Sequence, residues 1–178
     1  MRSSKFQIAN NKLNVPLYIV LLFGICCLVF AAGCYSFTGA SVPAHLKTVA
    51  IPLAEDVSGF GEAGLREKFT QKLIELFRND NNLEIGERLT ADSIVEGTIV
   101  QVTDAPQVIS GNDIVSTRRI TITVRASFTD MKLRKKVWER DFSNWGEYTQ
   151  GQQTRDIALT DAVNKVAEDI LLETVSGW

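Results

Sequence analysis

Cys34 offers the most chemistry of any residue in the chain. It ends the stretch Phe30 to Cys34, "FAAGC", directly after the small residues Ala31, Ala32 and Gly33. A small-residue triplet before a cysteine is the lipobox pattern at which bacterial lipoproteins are cut. The thiol then takes a diacylglyceryl group and the new amine is acylated. Ala31 stands where Leu is usual. Upstream lie the basic residues Arg2, Lys5 and Lys12 and an apolar run, Leu17 to Ala32, of 16 residues. A helix of that length rises about 24 Å, short of the roughly 30 Å hydrocarbon core. A basic flank, a short apolar centre and then small residues form the secretory signal pattern. The competing reading is an uncleaved transmembrane anchor with a chance cysteine. On the lipoprotein reading, residues 1–33 are removed and Cys34 carries diacylglyceryl and N-acyl chains such as palmitate. Two or three chains hold a membrane firmly where one would be marginal.

Other candidate chemistry is sparse. "GFGEAG" at Gly59 to Gly64 fits a dinucleotide fingerprint, but Ala54 to Ser58 separate it from the preceding strand and only one βα step is present. It reads as a loop opening a helix. His45 is the only histidine, with no thiol near it, so a zinc site of His and Cys ligands is not available. It falls in the leader after Pro43 and reads as solvated. Ser–His–Asp catalysis would need His45 as base, and no G-x-S-x-G occurs. Carboxylate pairs such as Glu55–Asp56 show no sign of the burial that separates pKa values. No enzyme, no metal and no cofactor beyond the covalent lipid is expected.

Binding remains. Lys132, Arg134, Lys135 and Lys136 crowd one turn, and Arg118 and Arg119 lie on the strand before it. Clustered cations suit phosphates or carboxylates; they also solubilise turns and guard strand edges. Trp138, Phe142 and Tyr148 alternate onto one face of the next strand and Trp145 onto the other. One set is expected under the helices, while the other is free to meet a partner.

These residues need elements to hold them. The chain from Cys34 onward has 145 residues, 16 Lys and Arg against 21 Asp and Glu, and no second thiol. It must rely on a hydrophobic core, and its acidic balance argues against nucleic acid. Residues 34–45 read as a lipidated leader and 46–178 as one domain. The pattern predicts a strand over Thr48 to Leu53, with Pro52 marking an edge or an end. An amphipathic helix follows over Leu65 to Arg78, with Leu65, Phe69, Leu73 and Leu76 inward, stopped by "NDNN". A short strand follows at Leu83 and a longer one over Ser93 to Thr103. Val115 to Phe128 alternates strictly: Ile120, Ile122, Val124, Ala126 and Phe128 against Thr121, Thr123, Arg125 and Ser127. It is a half-buried strand with one polar face. "DMKLRKK" turns the chain into a strand over Val137 to Tyr148, and a helix over Arg155 to Thr174 ends it. The fold class is therefore α+β. Two helices pack on one face of a small mixed four- to five-stranded sheet, in the order β-α-β-β-β-β-α.

The stretch "GCYSFTGASVPAHLKTVAI" resembles the start of the LptE family of lipopolysaccharide-assembly lipoproteins. The resemblance rests on Cys34, Tyr35, Phe37, Gly39, Pro43 and Leu46 to Ile51, and on the order of elements. It implies an outer-membrane lipoprotein, lipid-anchored and facing the periplasm or a barrel lumen. Such a protein plugs and supports the large LptD-type β-barrel in lipopolysaccharide transport and assembly. It also implies lipopolysaccharide as a ligand bound through basic residues; Arg118, Arg119, Lys132, Arg134, Lys135 and Lys136 are the candidates that charge suggests. "TVAIPLAEDVSG" and "ADSIVEGTI" also resemble CsgG-like secretion or cell-wall-regulator lipoproteins. A pore former needs membrane-spanning hairpins with an apolar lipid face. The hairpin from Val115 to Tyr148 has charges on both strands, and no second hairpin is expected.

Overall fold

The computed structural model describes residues 42–107, 117–149 and 154–176. Strands β1 (Thr48–Ala50) and β2 (Glu55–Asp56) precede helix α1 (Leu65–Asp80). Strands β3 (Glu84–Ile85), β4 (Ser93–Pro106), β5 (Thr117–Asp130) and β6 (Lys135–Thr149) follow, and helix α2 (Arg155–Ser176) closes the domain. The sheet order is β3-β1-β4-β5-β6, with β2 paired to β4 off that path. β1 runs parallel to both β3 and β4, whereas β4, β5 and β6 form an antiparallel meander. The α+β order read from the sequence stands, with the two-residue β2 added between the first strand and the Gly-rich loop. The expectation of one hairpin is corrected, because β4 and β5 form a second.

Pro52 accounts for the split of β1 from β2. Lacking an N–H, it interrupts pairing along β4, which resumes when Glu55 meets Thr98. The Ala54 N–H left in the gap is taken up by the hydroxyl of Thr70 on α1, at 3.0 Å. That bond explains a buried threonine on an otherwise apolar stripe. The stripe is Leu65, Phe69, Leu73 and Phe77. Its spacing of four carries the buried line past Leu76, expected inward, to Phe77; Leu76 packs half-buried at the margin. Asn81, in the left-handed region at φ 59°, caps the helix by donating its N–H to the Phe77 carbonyl.

The core lies between the helices and one face of the meander. Alternation along β5 holds without exception, with Ile120, Ile122, Val124, Ala126 and Phe128 all buried. Leu159, Ala162, Val163, Val166 and Ile170 of α2 pack against them, the residues that the helical spacing picks out. Two bulges alter the strand parity that simple alternation would give. Ile99 pairs Val124 while Gln101 pairs Thr123, so Val100 is the extra residue. Inward positions on β4 then change from Val95, Gly97 and Ile99 to Val102 and Asp104. On β6 the extra residue is Val137, since Phe128 pairs Trp138 while Thr129 pairs Lys136. This bulge turns Lys136 outward, onto the face of Thr129, instead of under the helices beside Trp138.

Close approach sets two glycines. A Cβ on Gly97 would come within 2.9 Å of the Phe69 ring, and one on Gly146 would overlap the backbone carbonyl of Ala158 on α2. Backbone cannot yield as a flexible side chain can, so Gly146 fixes how near α2 lies to β6. Gly146→Ala is expected to destabilise the domain by about 2 kcal/mol or more, read as a lower midpoint in chemical denaturation. Ala at the exposed Ser143 three residues earlier should change little.

Candidate functional site

The cations read from the sequence separate into two groups. Lys132, Arg134, Lys135 and Lys136 sit at the closed end of the β5–β6 hairpin. Arg118 and Arg119 lie at its open end, roughly 40 Å away along strands that rise about 3.3 Å per residue.

At the closed end, Asp130 is buried, its side chain 3% exposed. It accepts the Leu133 N–H at 2.8 Å and bonds His45 Nε2 at 2.5 Å. His45, expected to be solvated, is thus tied across 85 residues to the end of β5. Its carbonyl accepts a hydrogen bond from Lys132 Nζ at 2.5 Å, and the same ammonium pairs with Asp92 at 2.9 Å. Asp92 in turn accepts the backbone N–H groups of Lys47 and Thr48. Met131 donates its N–H to the Asp92 carbonyl at 2.8 Å. Three segments far apart in sequence, 43–48, 87–92 and 130–133, are locked together. Burial pushes the Asp130 carboxyl up, but its bonds from His45 and Leu133 outweigh that and hold it below the usual range. The Lys132 ammonium, helped by the Lys47 amide, holds Asp92 below it too.

Between this turn and the loop before β4 lies a groove of about 520 Å³, on the sheet face away from the helices. Arg88, Leu89, Met131, Lys132 and Arg134 line it. Arg88 is held by Glu96 at 3.0 Å. Lys136 pairs with Glu139 at 2.6 Å, and among the described residues Arg134 and Lys135 make no ion pair. Arg134 takes φ 51°. The left-handed region costs an L-residue on the order of 1 kcal/mol that glycine does not incur, so an arginine there sits against backbone preference. Leu89 is 96% exposed, Leu133 66% and Met131 42%. The closed end therefore combines unpaired cations with uncovered aliphatic side chains. Arg88 and Leu89 escape a reading based on charge runs, since they come to the hairpin from a loop over 40 residues earlier.

The open end is different. Arg118 faces the helix side and donates to Asp104 at 2.8 Å and to the Tyr148 hydroxyl oxygen at 2.9 Å. Asp104 also accepts from Arg155 at the start of α2, which pairs with Glu62 at 2.7 Å and lies over the Phe60 ring. The Asp104 bond, then that of Tyr148, raises the Arg118 guanidinium further above its usual value. Burial foremost, and then Asp104, raises the Tyr148 phenol. This network straps down the "GFGEAG" loop. Gly59, Gly61 and Gly64 all have positive φ, so the glycines serve backbone geometry. Arg119 points to the opposite face, pairs with Glu147 at 2.6 Å and lies 4.7 Å over the ring of Trp145. Trp145 is 44% exposed, while Trp138 and Tyr148 are buried, as alternation requires.

The polar face of the meander is internally paired. Arg125 grips Asp141 with two bonds, at 2.8 and 3.0 Å, and the Thr123 and Ser143 hydroxyls meet at 3.1 Å. Both pairs are directly opposite in register. Among the described residues, no group of three or more His, Cys, Asp or Glu is placed to hold a metal, and no helix is long and apolar enough to cross a membrane. Cys34, the lipidation candidate, lies outside the described residues.

Comparison with known families now decides the assignment. The model of the LptE family, described as lipopolysaccharide-assembly, matches residues 46–174. The chain belongs to the LptE family. It is a lipopolysaccharide-assembly protein, from a family of assembly rather than of catalysis. A comparison with curated protein sequences finds no match. Among solved structures, the hypothetical protein CT253 from Chlamydia trachomatis is similar at a TM-score of 0.55 and 9% identity, covering 72% of this chain and 95% of that one. A homologue of the neuraminyllactose-binding hemagglutinin from Helicobacter pylori reaches 0.50 at 9% identity, covering 78% and 86%. A minor lipoprotein from Acinetobacter baumannii reaches 0.46 at 12%, covering 74% and 92%. At such identities the likeness is one of fold alone.

The buried carboxylate gives a direct test within this LptE-family domain. Asp130→Asn should cost about 1.5–3 kcal/mol at neutral pH, the range for hydrogen bonds to a charged group. Because the folded carboxyl titrates below its unfolded value, its contribution is present above about pH 4 and fades as pH falls further. Denaturation curves of the two proteins should converge in that acidic range.

Proposed function

We propose that this chain is an outer-membrane lipoprotein, anchored through acyl chains on Cys34, that plugs and supports an LptD-type β-barrel and engages lipopolysaccharide during its assembly. Family membership over residues 46–174 carries the reading. The architecture supports it in two respects. The polar face of β4, β5 and β6 offers hydroxyls and cross-strand ion pairs already satisfied within the sheet. Such a face can meet the polar wall of a large barrel without leaving a desolvated charge. The closed end offers Arg88, Lys132 and Arg134 around a groove, with Lys135 the next residue along the hairpin. Those cations suit the phosphates of a glycolipid, and Leu89 and Met131 suit its apolar part.

Lys132 also locks the turn to Asp92 and His45, so its loss should perturb folding as well as binding. Arg134 and Lys135 are the cleaner probes. Arg134→Gly with Lys135→Gln should weaken lipopolysaccharide binding roughly tenfold, the size expected on losing one or two charge-assisted bonds at a surface. It should leave thermal stability unchanged or slightly raised. Unchanged affinity would make the closed end a solvated turn.

The plug is tested by photo-crosslinking in outer membranes. A crosslinker at Thr123 or Ser143, on the polar face, should capture a large β-barrel protein, and one at Glu168 on the outer side of α2 should not. Capture from Glu168 alone would reverse the face. Capture of no barrel from any position would overturn the plug. Cys34→Ser should abolish acylation, read by mass spectrometry of the N-terminal peptide.

A further inference from the structure

The lock at the closed end holds more than the groove. One of its members is His45, three residues after Val42, the first described residue, which packs on the core. The His45 side chain bonds Asp130 and its carbonyl receives Lys132. The entry point of the leader is thus fixed beside the hairpin tip. From Cys34 to His45, where the chain meets the tip, it advances eleven residues, which fully extended is at most roughly 40 Å. Any membrane that holds acyl chains on Cys34 therefore lies within that distance of the point where the leader meets the tip, and the open end of the hairpin is roughly 40 Å further along the strands.

The surface presented at the tip suits such a membrane. Leu89, Met131 and Leu133 are uncovered aliphatic side chains from two segments that Met131 N–H and the Asp92 carbonyl hold together. Arg134 and Lys135 follow Leu133 directly at the tip and make no ion pair among the described residues, in a chain whose residues from Cys34 onward are acidic as a whole. Aliphatic side chains ringed by cations are the composition of interfacial segments that lie in the headgroup layer of anionic bilayers. At the open end, by contrast, Arg118, Arg119 and Arg155 are all paired with carboxylates.

We propose that the tip formed by Leu89, Met131, Leu133, Arg134 and Lys135 is a second membrane contact: it inserts its aliphatic side chains into the headgroup layer of the leaflet that holds the Cys34 acyl chains, with Arg134 and Lys135 on lipid phosphates. The inference rests on the lipoprotein reading, since the leader brings the membrane to the tip. It sets the orientation of the domain, closed end on the anchored leaflet and open end away from it. A plug so held would keep its tip at the mouth of the barrel and send its polar face inward.

The test uses the lipidated protein in vesicles of phosphatidylethanolamine and phosphatidylglycerol, free of lipopolysaccharide. With Cys34 acylated, the mature chain has no other thiol, so a single cysteine can carry an environment-sensitive dye. Leu133→Cys is compared with Ser143→Cys on the polar face and Glu75→Cys on α1. Quenching by doxyl-labelled lipids should be several-fold greater at position 133 than at 143 or 75, with matching protection from aqueous iodide. Arg134→Gly with Lys135→Gln should reduce that difference, and so should vesicles without phosphatidylglycerol. Protein that floats with vesicles while its position-133 dye is as open to iodide as the controls keeps its anchor but overturns the tip contact. Protein that does not float at all lacks the anchor, and the inference falls with it.

Discussion

The closed end of this domain depends on one buried carboxylate. Asp130 lies on the inward side of β5, where alternation would otherwise place an aliphatic residue, and it is almost wholly removed from water. A charge there is tolerable only with its acceptor sites filled. The Leu133 N–H fills one by turning the chain back, which shapes the hairpin, and His45 fills another by bringing the leader in. Lys132 then finds the His45 carbonyl and Asp92 within reach, and Asp92 takes the two amides of the chain entering β1. Each bond is modest singly. Together they join three segments whose sequence separation would make any one contact entropically costly to close.

Ion pairing at the two ends of the hairpin follows from backbone register. The bulge at Val100 brings Asp104 to the inward face, where it meets Arg118 and Tyr148 and, through Arg155, the start of α2. Were Val100 paired in unbroken alternation instead, the carboxylate would point to the polar face, away from Arg118. The bulge at Val137 acts in the opposite sense, taking Lys136 away from Trp138 and out to Glu139. Cations at the open end are consumed in holding the loop and helix. At the closed end Lys132 and Lys136 are likewise engaged, and Arg134 and Lys135 remain.

Much of this was legible in the sequence. Strict alternation over Ile120 to Phe128 reveals the buried face of β5, and helical spacing over Leu159 to Ile170 reveals that of α2, because each period is repeated long enough to exclude the other. The family resemblance in "LKTVAI" was legible too, and the family match begins at Leu46. The groove was not, because it is assembled by contact. Nothing local marks His45 as the partner of Asp130, or Arg88 and Leu89 as neighbours of Met131. Bulges are equally silent: a strand with one residue too many reads like any other until its partner is known. Leu76 looked inward because spacings of three and four are both helical, and the spacing of four through Leu65, Phe69, Leu73 and Phe77 is the one that faces the core.

Where the leader joins the domain decides what free cations can do. An arginine in the left-handed region and an unpaired lysine would carry little meaning on the far side of an acidic domain, since salt screens exposed charges beyond about 10 Å at 0.1 M. If the leader is anchored as proposed, the same residues would lie within a screening length of phosphate whenever the tip touches the bilayer. On that proposal the lock through Asp130 and Lys132 would serve more than stability. On the proposed anchorage it would fix where the leader leaves the domain, so that an anchor on Cys34 would bias the domain's orientation as well as set its location. A protein that must present one face to a partner gains from this, because an orientation held by the fold need not be sought anew at each encounter.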